Sequence, residues 1–401
     1  MLTLQQKQVS QNSYAMKRLP NISLIIALVL SACNEPGLEI VTPPIILDDP
    51  ELSLELDNVA KLISELPVGA EQFREVFDAV NSSTTNGYDE EYMFEDLLTN
   101  PGAGVGDKQT KAAGTYSRPL KDLLKERLLK TTKSGSAQEV EDYLNKLLAS
   151  DIQIYWPYSE LWDGKTAPIV TFDPGDGASS SYGYEFVYSS DGVSVTDSIL
   201  VDESLAQKRP VWVINRNDDS MYTPLKSLTD SPQYQQYLAR AEASDNRRLT
   251  LTTFTMMQHY DSWFGGASEF FVKCAAVDDF HAETEEEMRQ YSPQVTDFMI
   301  VVQRNQLKKT IPLKALILTN YTEQMESIAL VITEDDGGEV TSWKCSGTVK
   351  IKSKSYGFDV EIPYRDRDDI VWRGQLHQKF FTDGPYSLSR FGGVMLGFSL
   401  N

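Results

Sequence analysis

Apolar residues recur with the period of an α-helix in the first part of the chain beyond residue 50. Leu56, Val59, Ile63 and Leu66 fall on one helical face, and Pro67 ends that segment. The same spacing predicts four further helices, over 70–80, 90–98, 118–129 and 136–148. The sequence therefore predicts a helical domain over 51–150, interrupted by a glycine-rich loop at 100–115.

From residue 151 the pattern changes to short runs in which apolar and polar residues alternate, bounded by Gly, Pro, Asp and Ser. The spacing predicts a small β region over 151–230, then a polar connecting segment at 231–244. The alternation resumes over 248–401 with clear two-residue periodicity, which is typical of an antiparallel β-sandwich. The predicted fold class is therefore α+β.

Residues before position 50 show a third pattern. Lys17 and Arg18 precede an apolar run of nine residues, Ile22–Leu30, and small residues then lead to Cys33. The run is too short to cross a bilayer, which requires about 20 apolar residues. Its order of charge, apolar core and small residues is that of a secretory signal.

The segment Leu30-Ser31-Ala32-Cys33 resembles the lipobox of bacterial lipoproteins. The resemblance implies cleavage before Cys33 and a diacylglyceryl group on its thiol, with a further acyl chain such as palmitate on the new amine. Residues 1–32 are then the signal peptide, with Met16 the expected start, and 33–50 form a lipidated tether rich in proline. Asn34 favours the outer membrane of the bacterial envelope over the inner one. The alternative is an uncleaved apolar N-terminus or a buried strand.

The net charge of the chain limits the classes of molecule that it is expected to bind. The chain carries a net charge of −21, and the signal peptide contributes three basic residues and no acidic one. So acidic a mature protein repels nucleic acid and anionic headgroups, which attract basic surfaces. It tolerates or attracts cations such as calcium, and a protein or a glycan is the expected ligand. A simpler interpretation is that the charge only provides solubility.

Two cysteines remain once Cys33 is lipidated. Cys274 alternates with Phe270 and Val272, and Cys345 alternates with Trp343, so both thiols are predicted to point inward. A secreted protein can keep a disulfide between them, or they remain two buried thiols. No pair has the spacing of a zinc site.

Motifs of known enzyme chemistry are missing from the sequence. It has no H-E-x-x-H, G-x-S-x-G or P-loop motif, and His259, His281 and His377 lack ligand spacing. No catalytic residues are assigned. The leading hypothesis is a lipid-anchored envelope protein with a recognition or assembly role. The alternative is a cation-dependent hydrolase that uses loop carboxylates, with these candidates: Asp173, Asp176, Asp218 and Asp219.

Two predicted loops of the sandwich carry acids near strand ends. Asp261 and Glu269 flank a glycine pair, and Glu334 and Asp336 precede a predicted hairpin. The arrangement resembles the calcium-dependent lipid-binding sandwich known as conserved region two of protein kinase C. That resemblance implies a calcium site formed by these four residues, with Asp261 and Glu269 from one loop and Glu334 and Asp336 from the other.

The departures from that family are specific. The Pro-Tyr that follows the first loop in the family is replaced by Phe270-Phe271, and a further loop aspartate has a counterpart only if Arg365–Asp369 supplies it. The competing interpretation is that Asp335–Gly338 forms an ordinary hairpin turn, because Asp-Gly is a strong turn signal.

An aromatic group lies at the predicted boundary between helices and sheet: Tyr155, Trp156, Tyr158 and Trp162. Such a group can stack on a sugar or a peptide, or it can pack the two regions together. Its place at the boundary favours packing.

Overall fold

The computed structural model describes residues 53–99, 116–131, 137–175, 177–189, 192–195, 199–217, 219–383 and 386–401. The first layer contains helices α1–α5: Leu56–Ser64, Ala70–Thr85, Phe94–Thr99, Leu120–Thr131 and Ala137–Leu148. Its seven strands β1–β7 are Glu91–Met93, Ile152–Tyr155, Ile169–Phe172, Ser180–Ser189, Gly192–Val195, Ile199–Asp202 and Val211–Arg216. A short helix α6, Glu203–Ala206, precedes β7.

The strands of this layer form one sheet in the order β1-β2-β7-β3-β4-β5, and β6 also pairs with β4. The pair β3–β7 is parallel and the others are antiparallel. We call this the N-terminal sheet.

The helices over 51–150 and the strands over 151–230 share one hydrophobic core. Val59 and Ile63 of α1, Leu147 of α5, and Trp212 and Ile214 of β7 belong to a single buried cluster. The helices cover one face of the N-terminal sheet because only that contact buries their apolar stripes.

The second layer follows helices α7 and α8, Leu225–Asp230 and Pro232–Glu242. Its ten strands β8–β17 are Leu249–Met256, Ser268–Ala276, Gln294–Val302, Ile311–Leu318, Met325–Glu334, Val340–Ile351, Lys354–Arg365, Asp369–His377, Tyr386–Phe391 and Val394–Leu400. Two short helices, α9 and α10, span Glu285–Met288 and Gln378–Thr382.

These ten strands form two antiparallel sheets. One has the order β10-β9-β12-β13-β14, with β15 also paired to β12, and the other has the order β11-β8-β17-β16. Phe254 of β8, Phe270 of β9 and Phe398 of β17 are among the buried side chains between them. The α+β class and the C-terminal sandwich-like arrangement are as the alternation predicted.

Strand β13 contacts two different surfaces of the sandwich. Val349 and Ile351 belong to the central core, whereas Trp343 and Cys345 pack with Ala275 of β9 on the other side of its sheet. Only the C-terminal part of β13 pairs with β12, and its full length pairs with β14. Side chains that alternate along β13 are thus divided between two clusters.

Two sequence interpretations are resolved by packing. The segment 90–98, predicted as one helix, is the strand β1 followed by α3, because Glu91–Met93 pairs with β2. Trp156 is fully buried, with its ring centroid 5.3 Å from that of Trp162 and 5.9 Å from that of Trp212. This part of the aromatic group therefore packs the core. The glycine-rich loop at 100–115 and position 136, the predicted start of the fifth helix, lie outside the described residues. Within the described part of the chain, no helix is long and apolar enough to cross a membrane.

Glu75 of α2 gives a test of this packing. Its carboxylate is buried, accepts hydrogen bonds from the Leu120 amide at 2.8 Å and the Tyr92 hydroxyl at 3.3 Å, and burial raises its pKa from 4.5 to about 7. The folded state then binds the proton more tightly than the unfolded state. This difference in proton binding contributes to the free energy of unfolding. The contribution is fully present below 4.5, the pKa of Glu75 in the unfolded state, and is lost as the pH rises through about 7, its pKa in the folded state.

We therefore expect Glu75→Gln to raise the melting temperature relative to the wild-type protein more at about pH 8 than at about pH 5. Thermal unfolding followed by circular dichroism measures the difference. Glu361→Gln is the control, because the Glu361 ion pair with Lys344 is exposed. If the melting temperatures of Glu75→Gln and the wild-type protein differed by the same amount at both pH values, this account would be wrong.

Candidate cation site

Three of the four acids predicted for the calcium site meet at one end of the sandwich. Asp261 lies in the segment between β8 and β9, Glu269 is the second residue of β9, and Glu334 is the last residue of β12. Their carboxylate ligand atoms all lie within 4.8 Å of one another. No other group of three or more metal-ligating side chains was found in the described part of the chain.

The pairing of β9 with β12 explains why Glu269 and Glu334 are neighbours. The strands are antiparallel, so the start of β9 lies beside the end of β12, with Phe270 opposite Glu334. The Asp335 amide then donates to the Glu269 carbonyl oxygen at 2.9 Å. The strand register therefore fixes the position of these two acids.

Asp261 is brought to them by its loop. Trp263 and Phe264 are buried in the cluster on one face of the N-terminal sheet, together with Tyr155 and Val213. Their burial holds the segment that begins at Asp261 between the N-terminal sheet and the sandwich.

Polar contacts hold the same loop. The Asn215 side-chain amide of β7 donates to the carbonyl oxygens of Phe264 and Gly265 at 2.9 and 2.8 Å. The Arg304 guanidinium donates to the Asp261 carbonyl oxygen at 3.2 Å and pairs with Glu203 at 2.7 Å. Both ends of the loop are therefore attached to surrounding elements.

The acids sit in an environment that disfavours their charged forms. Glu334 is 1% exposed, and its Oε1 has no hydrogen-bond partner among the described residues. Burial raises the pKa of Glu334, and its hydrogen bond and charge interaction with Asp261 raise it further. Burial and the charges of Asp219 and Asp261 raise the pKa of Glu269 well above its usual range. The charged forms of Glu269 and Glu334 are thus destabilised by desolvation and by neighbouring acids.

Asp336 does not join the group. It is exposed in the connection between β12 and β13, and its charge raises the pKa of Glu334 from there. The prediction of Asp336 as a member of the cluster is wrong because the chain turns immediately after Glu334. Gly337 and Gly338 have φ of 70° and 98°, and Asp335 Oδ1 accepts a hydrogen bond from the Gly337 amide at 3.3 Å. The ends of β12 and β13 that flank Asp335–Gly338 pair with other strands and not with each other, so the interpretation of this segment as an ordinary hairpin turn is wrong.

One buried acid near the cluster has no counterpart in the prediction. Asp89 lies between α2 and β1, and its Oδ2 accepts a hydrogen bond from the Ala267 amide at 3.0 Å. Burial raises the pKa of Asp89 to about 7, and the charges of Glu91 and Asp261 also raise it. The sequence signal is the run of three acids, Asp89–Glu91, between the apolar residues Tyr88 and Tyr92.

Two of the acids considered for a hydrolase, Asp173 and Asp219, lie among the described residues, and neither belongs to a group of metal-ligating side chains there. The Asp173 carboxylate accepts a hydrogen bond from the Gly175 amide at 2.9 Å, which is a turn contact. Asp219 is buried and its charge acts on Glu269. Asp176 and Asp218 lie outside the described residues.

The two thiols of the sandwich, Cys274 and Cys345, are free, so of the two alternatives the disulfide is wrong and the pair of free thiols holds. Cys274 lies in the central core, whereas Cys345 packs on the other side of the β9–β12 sheet. Their strands are not neighbours, because β12 lies between β9 and β13. Cys33 and the tether at 33–50 are outside the described residues.

Comparison with known proteins finds no family model, no curated protein and no solved structure that matches the chain.

The thiol arrangement is testable by alkylation. Burial raises the pKa of Cys274 to about 12 and that of Cys345 to about 11, so little thiolate is present at neutral pH. In the native protein we expect slow reaction with iodoacetamide, and slower reaction at the fully buried Cys274 than at the half-buried Cys345.

After denaturation without reductant, both cysteines should be alkylated completely, as read by mass spectrometry of the two peptides. A sample reduced before alkylation is the control. If labelling at either position required prior reduction, the thiols would not be free.

Proposed function

We propose that this chain is a lipid-anchored protein of the bacterial cell envelope whose sandwich binds a calcium ion through Asp261, Glu269 and Glu334. The bound ion stabilises the folded surface that the protein presents for recognition or assembly, with a protein or a glycan as the ligand. The observation that carries the cation site is the meeting of these three carboxylates in one constrained place. The lipobox at Leu30–Cys33 supports the anchor and the location.

The ligand atoms favour a divalent ion that prefers oxygen, such as calcium, over zinc or copper. Carboxylate oxygens suit magnesium, calcium and manganese, whereas zinc and copper sites are richer in nitrogen and sulfur. Calcium–oxygen distances are about 2.3–2.6 Å, so two oxygens on one calcium ion lie no more than about 5.2 Å apart. The separation within 4.8 Å meets this limit. Magnesium demands shorter distances of about 2.0–2.1 Å and a near-octahedral arrangement.

Electrostatics supports the same assignment. Desolvated carboxylates that face one another either take up protons or share a cation. Glu334 Oε1 is buried without a hydrogen-bond partner among the described residues, and a cation would supply that missing interaction. A divalent ion at this place would therefore stabilise the folded state.

The cation site is tested by thermal unfolding of the full chain in detergent, with calcium or with a chelator. A ligand that binds only the folded state stabilises it by about 2.7 kcal/mol at 100 times its dissociation constant. We expect calcium to raise the melting temperature of the wild-type protein and to have no effect on the double variant Asp261→Asn, Glu334→Gln.

Glu75→Gln is the matched control, because it also neutralises a buried carboxyl but lies in α2, outside the cluster. It should retain the full response to calcium. The proposal fails if the wild-type protein does not respond, or if the double variant responds as the wild-type protein does.

The anchor is tested separately by Cys33→Ala. Loss of the acylated thiol should leave the protein uncleaved or release it to the soluble envelope fraction, because several acyl chains are needed for stable membrane attachment. Partition into a detergent phase and labelling with a palmitate analogue measure the effect. Cys345→Ala, which removes a cysteine of the sandwich, should behave as the wild-type protein. Equal partition of Cys33→Ala and wild-type protein would contradict the anchor.

A further inference from the structure

A cavity of about 360 Å³ lies beside the N-terminal sheet, and its lining includes none of the three acids of the cation site. One wall, which we call the aromatic wall, comes from the connection between β2 and β3 and carries large side chains: Tyr158, Leu161 and Trp162. The other, the polar wall, comes from the connection between α6 and β7 and carries these side chains: Gln207, Lys208 and Arg209. The walls meet because β3 and β7 are parallel neighbours, so the segments that precede them lie at the same end of the sheet.

The backbone of the aromatic wall is strained at Tyr158. Its φ of 59° lies in the left-handed region, which residues with bulky side chains rarely adopt. The buried carboxylate of Glu90 holds this conformation by accepting hydrogen bonds from the amides of Tyr158 and Ser159, at 3.3 and 3.0 Å. Backbone strain that the surrounding structure maintains in this way is concentrated at ligand-binding and active sites.

Hydrogen bonds also fix the two rings of the aromatic wall. The Tyr158 hydroxyl donates to the Glu203 carboxylate at 2.8 Å and accepts from the Gln207 amide at 3.2 Å, which joins the two walls. The indole of Trp162 donates to the Thr166 carbonyl oxygen at 2.9 Å. Both rings are half-buried and border the cavity. Because they are held in place before a ligand arrives, less conformational entropy is lost on binding.

Two charged groups of the lining are already satisfied within the protein. The Asp163 carboxylate accepts hydrogen bonds from the Thr166 hydroxyl at 2.8 Å and from the Thr166 amide at 2.7 Å. The Arg209 guanidinium forms an ion pair with Glu185. These groups therefore hold the walls together and supply little charge to a ligand.

The remaining polar groups keep hydrogen-bonding capacity. Lys208 is exposed, and its ammonium donates to the Ser204 hydroxyl at 3.2 Å, while the Gln207 amide nitrogen donates to Tyr158. An ammonium has three donors, and a carboxamide has two donors and an acceptor oxygen. Lys208 and Gln207 can therefore each bond to a ligand without losing these contacts.

The size of the cavity favours a small ligand over a protein surface. Small-ligand sites have volumes of about 300–1,000 Å³ and combine apolar walls with a few placed polar groups. A protein partner covers about 800 Å² on each side of an interface. A nucleotide requires positive charge for its phosphates, and with Arg209 paired the cavity lining offers one further cation, Lys208, in a chain of net charge −21.

We propose that this cavity binds a saccharide ring. The apolar C–H face of the sugar lies against the rings of Tyr158 and Trp162, and its hydroxyl groups bond to Gln207 and Lys208. A hydroxyl both donates and accepts, so a carboxamide that does the same is a suitable partner. The inference rests on the recognition role proposed above and names the ligand of that role as a glycan.

The experiment applies the full chain, in a detergent without a sugar headgroup, to an array of neutral and acidic oligosaccharides of bacterial and animal origin. Calorimetry then gives the dissociation constants of the saccharides that bind, and of ATP. Tryptophan fluorescence is a second readout, because Trp156 and Trp162 both border the cavity. We expect saccharide binding that changes the tryptophan fluorescence, and no binding of ATP.

The aromatic wall is tested by truncating its larger ring. Trp162→Ala should weaken the saccharide affinity by about tenfold or more, because buried aromatic anchors carry much of the binding energy at such sites. Trp162→Phe, which keeps a ring, should retain most of the affinity. Tyr237→Ala, which removes an exposed ring from α8, is the control and should bind as the wild-type protein does.

The polar wall is tested by Lys208→Ala, a substitution at an exposed position that leaves the core intact. We expect it to weaken the saccharide affinity about fivefold through loss of a hydrogen bond. Lys165→Ala removes the same charge from an exposed position of the β2–β3 connection that does not line the cavity, so its affinity should be unchanged. This pair decides the test if Trp162→Ala does not fold.

Saccharide binding that Trp162→Ala and Lys208→Ala both left unchanged would place the ligand elsewhere and overturn the inference. Binding of ATP but of no saccharide, or of neither, would overturn it as well. Melting temperatures of the same samples in calcium and in chelator test the cation site independently. A retained response to calcium without saccharide binding would leave the proposed cation site standing.

Discussion

The burial of Trp263 and Phe264 in the N-terminal sheet is the contact on which the acidic site depends. Full burial of a large apolar side chain contributes about 1.5–3 kcal/mol, so the two rings together stabilise the loop position by several times the thermal energy. Their ring centroids are 3.9 Å apart, and the Trp263 indole donates to the Ser179 carbonyl oxygen at 3.0 Å. Hydrophobic burial at one end of this loop therefore holds Asp261 among other acids, where electrostatics alone would separate them.

Protons and cations compete for such a group of carboxylates. In the absence of a cation, the hydrogen bond between Asp261 and Glu334 requires that one of them carry a proton, which agrees with the raised pKa of Glu334. A cation at the proposed site would replace that proton if several oxygens could reach it together. The same arrangement of carboxylates is unfavourable when all of them are charged, and a proton or a cation would relieve the repulsion.

The sequence predicts those parts of the fold and the candidate site that depend on local patterning. Alternation located the strands of the sandwich. The resemblance to the calcium-dependent lipid-binding sandwich indicated Asp261, Glu269, Glu334 and Asp336, and the first three of these meet because β9 and β12 are antiparallel neighbours. Local patterning does not predict contacts between segments that are distant in the sequence. Glu91–Met93 is a strand only because β2 lies beside it, and Asp89 meets Ala267 only once both layers have packed. The divided packing of β13 likewise depends on which strands lie on each side of it.

The hydrogen bond between Asp89 and Ala267 has a kinetic consequence. It joins residues separated by 178 positions in the sequence, and the contact between Asn217 and Glu91 spans 126. Closing so long a loop costs conformational entropy, and folding rates fall as such distant contacts come to dominate a structure. Such contacts raise the contact order of the fold, so we expect this chain to fold more slowly than one of the same length whose contacts are local.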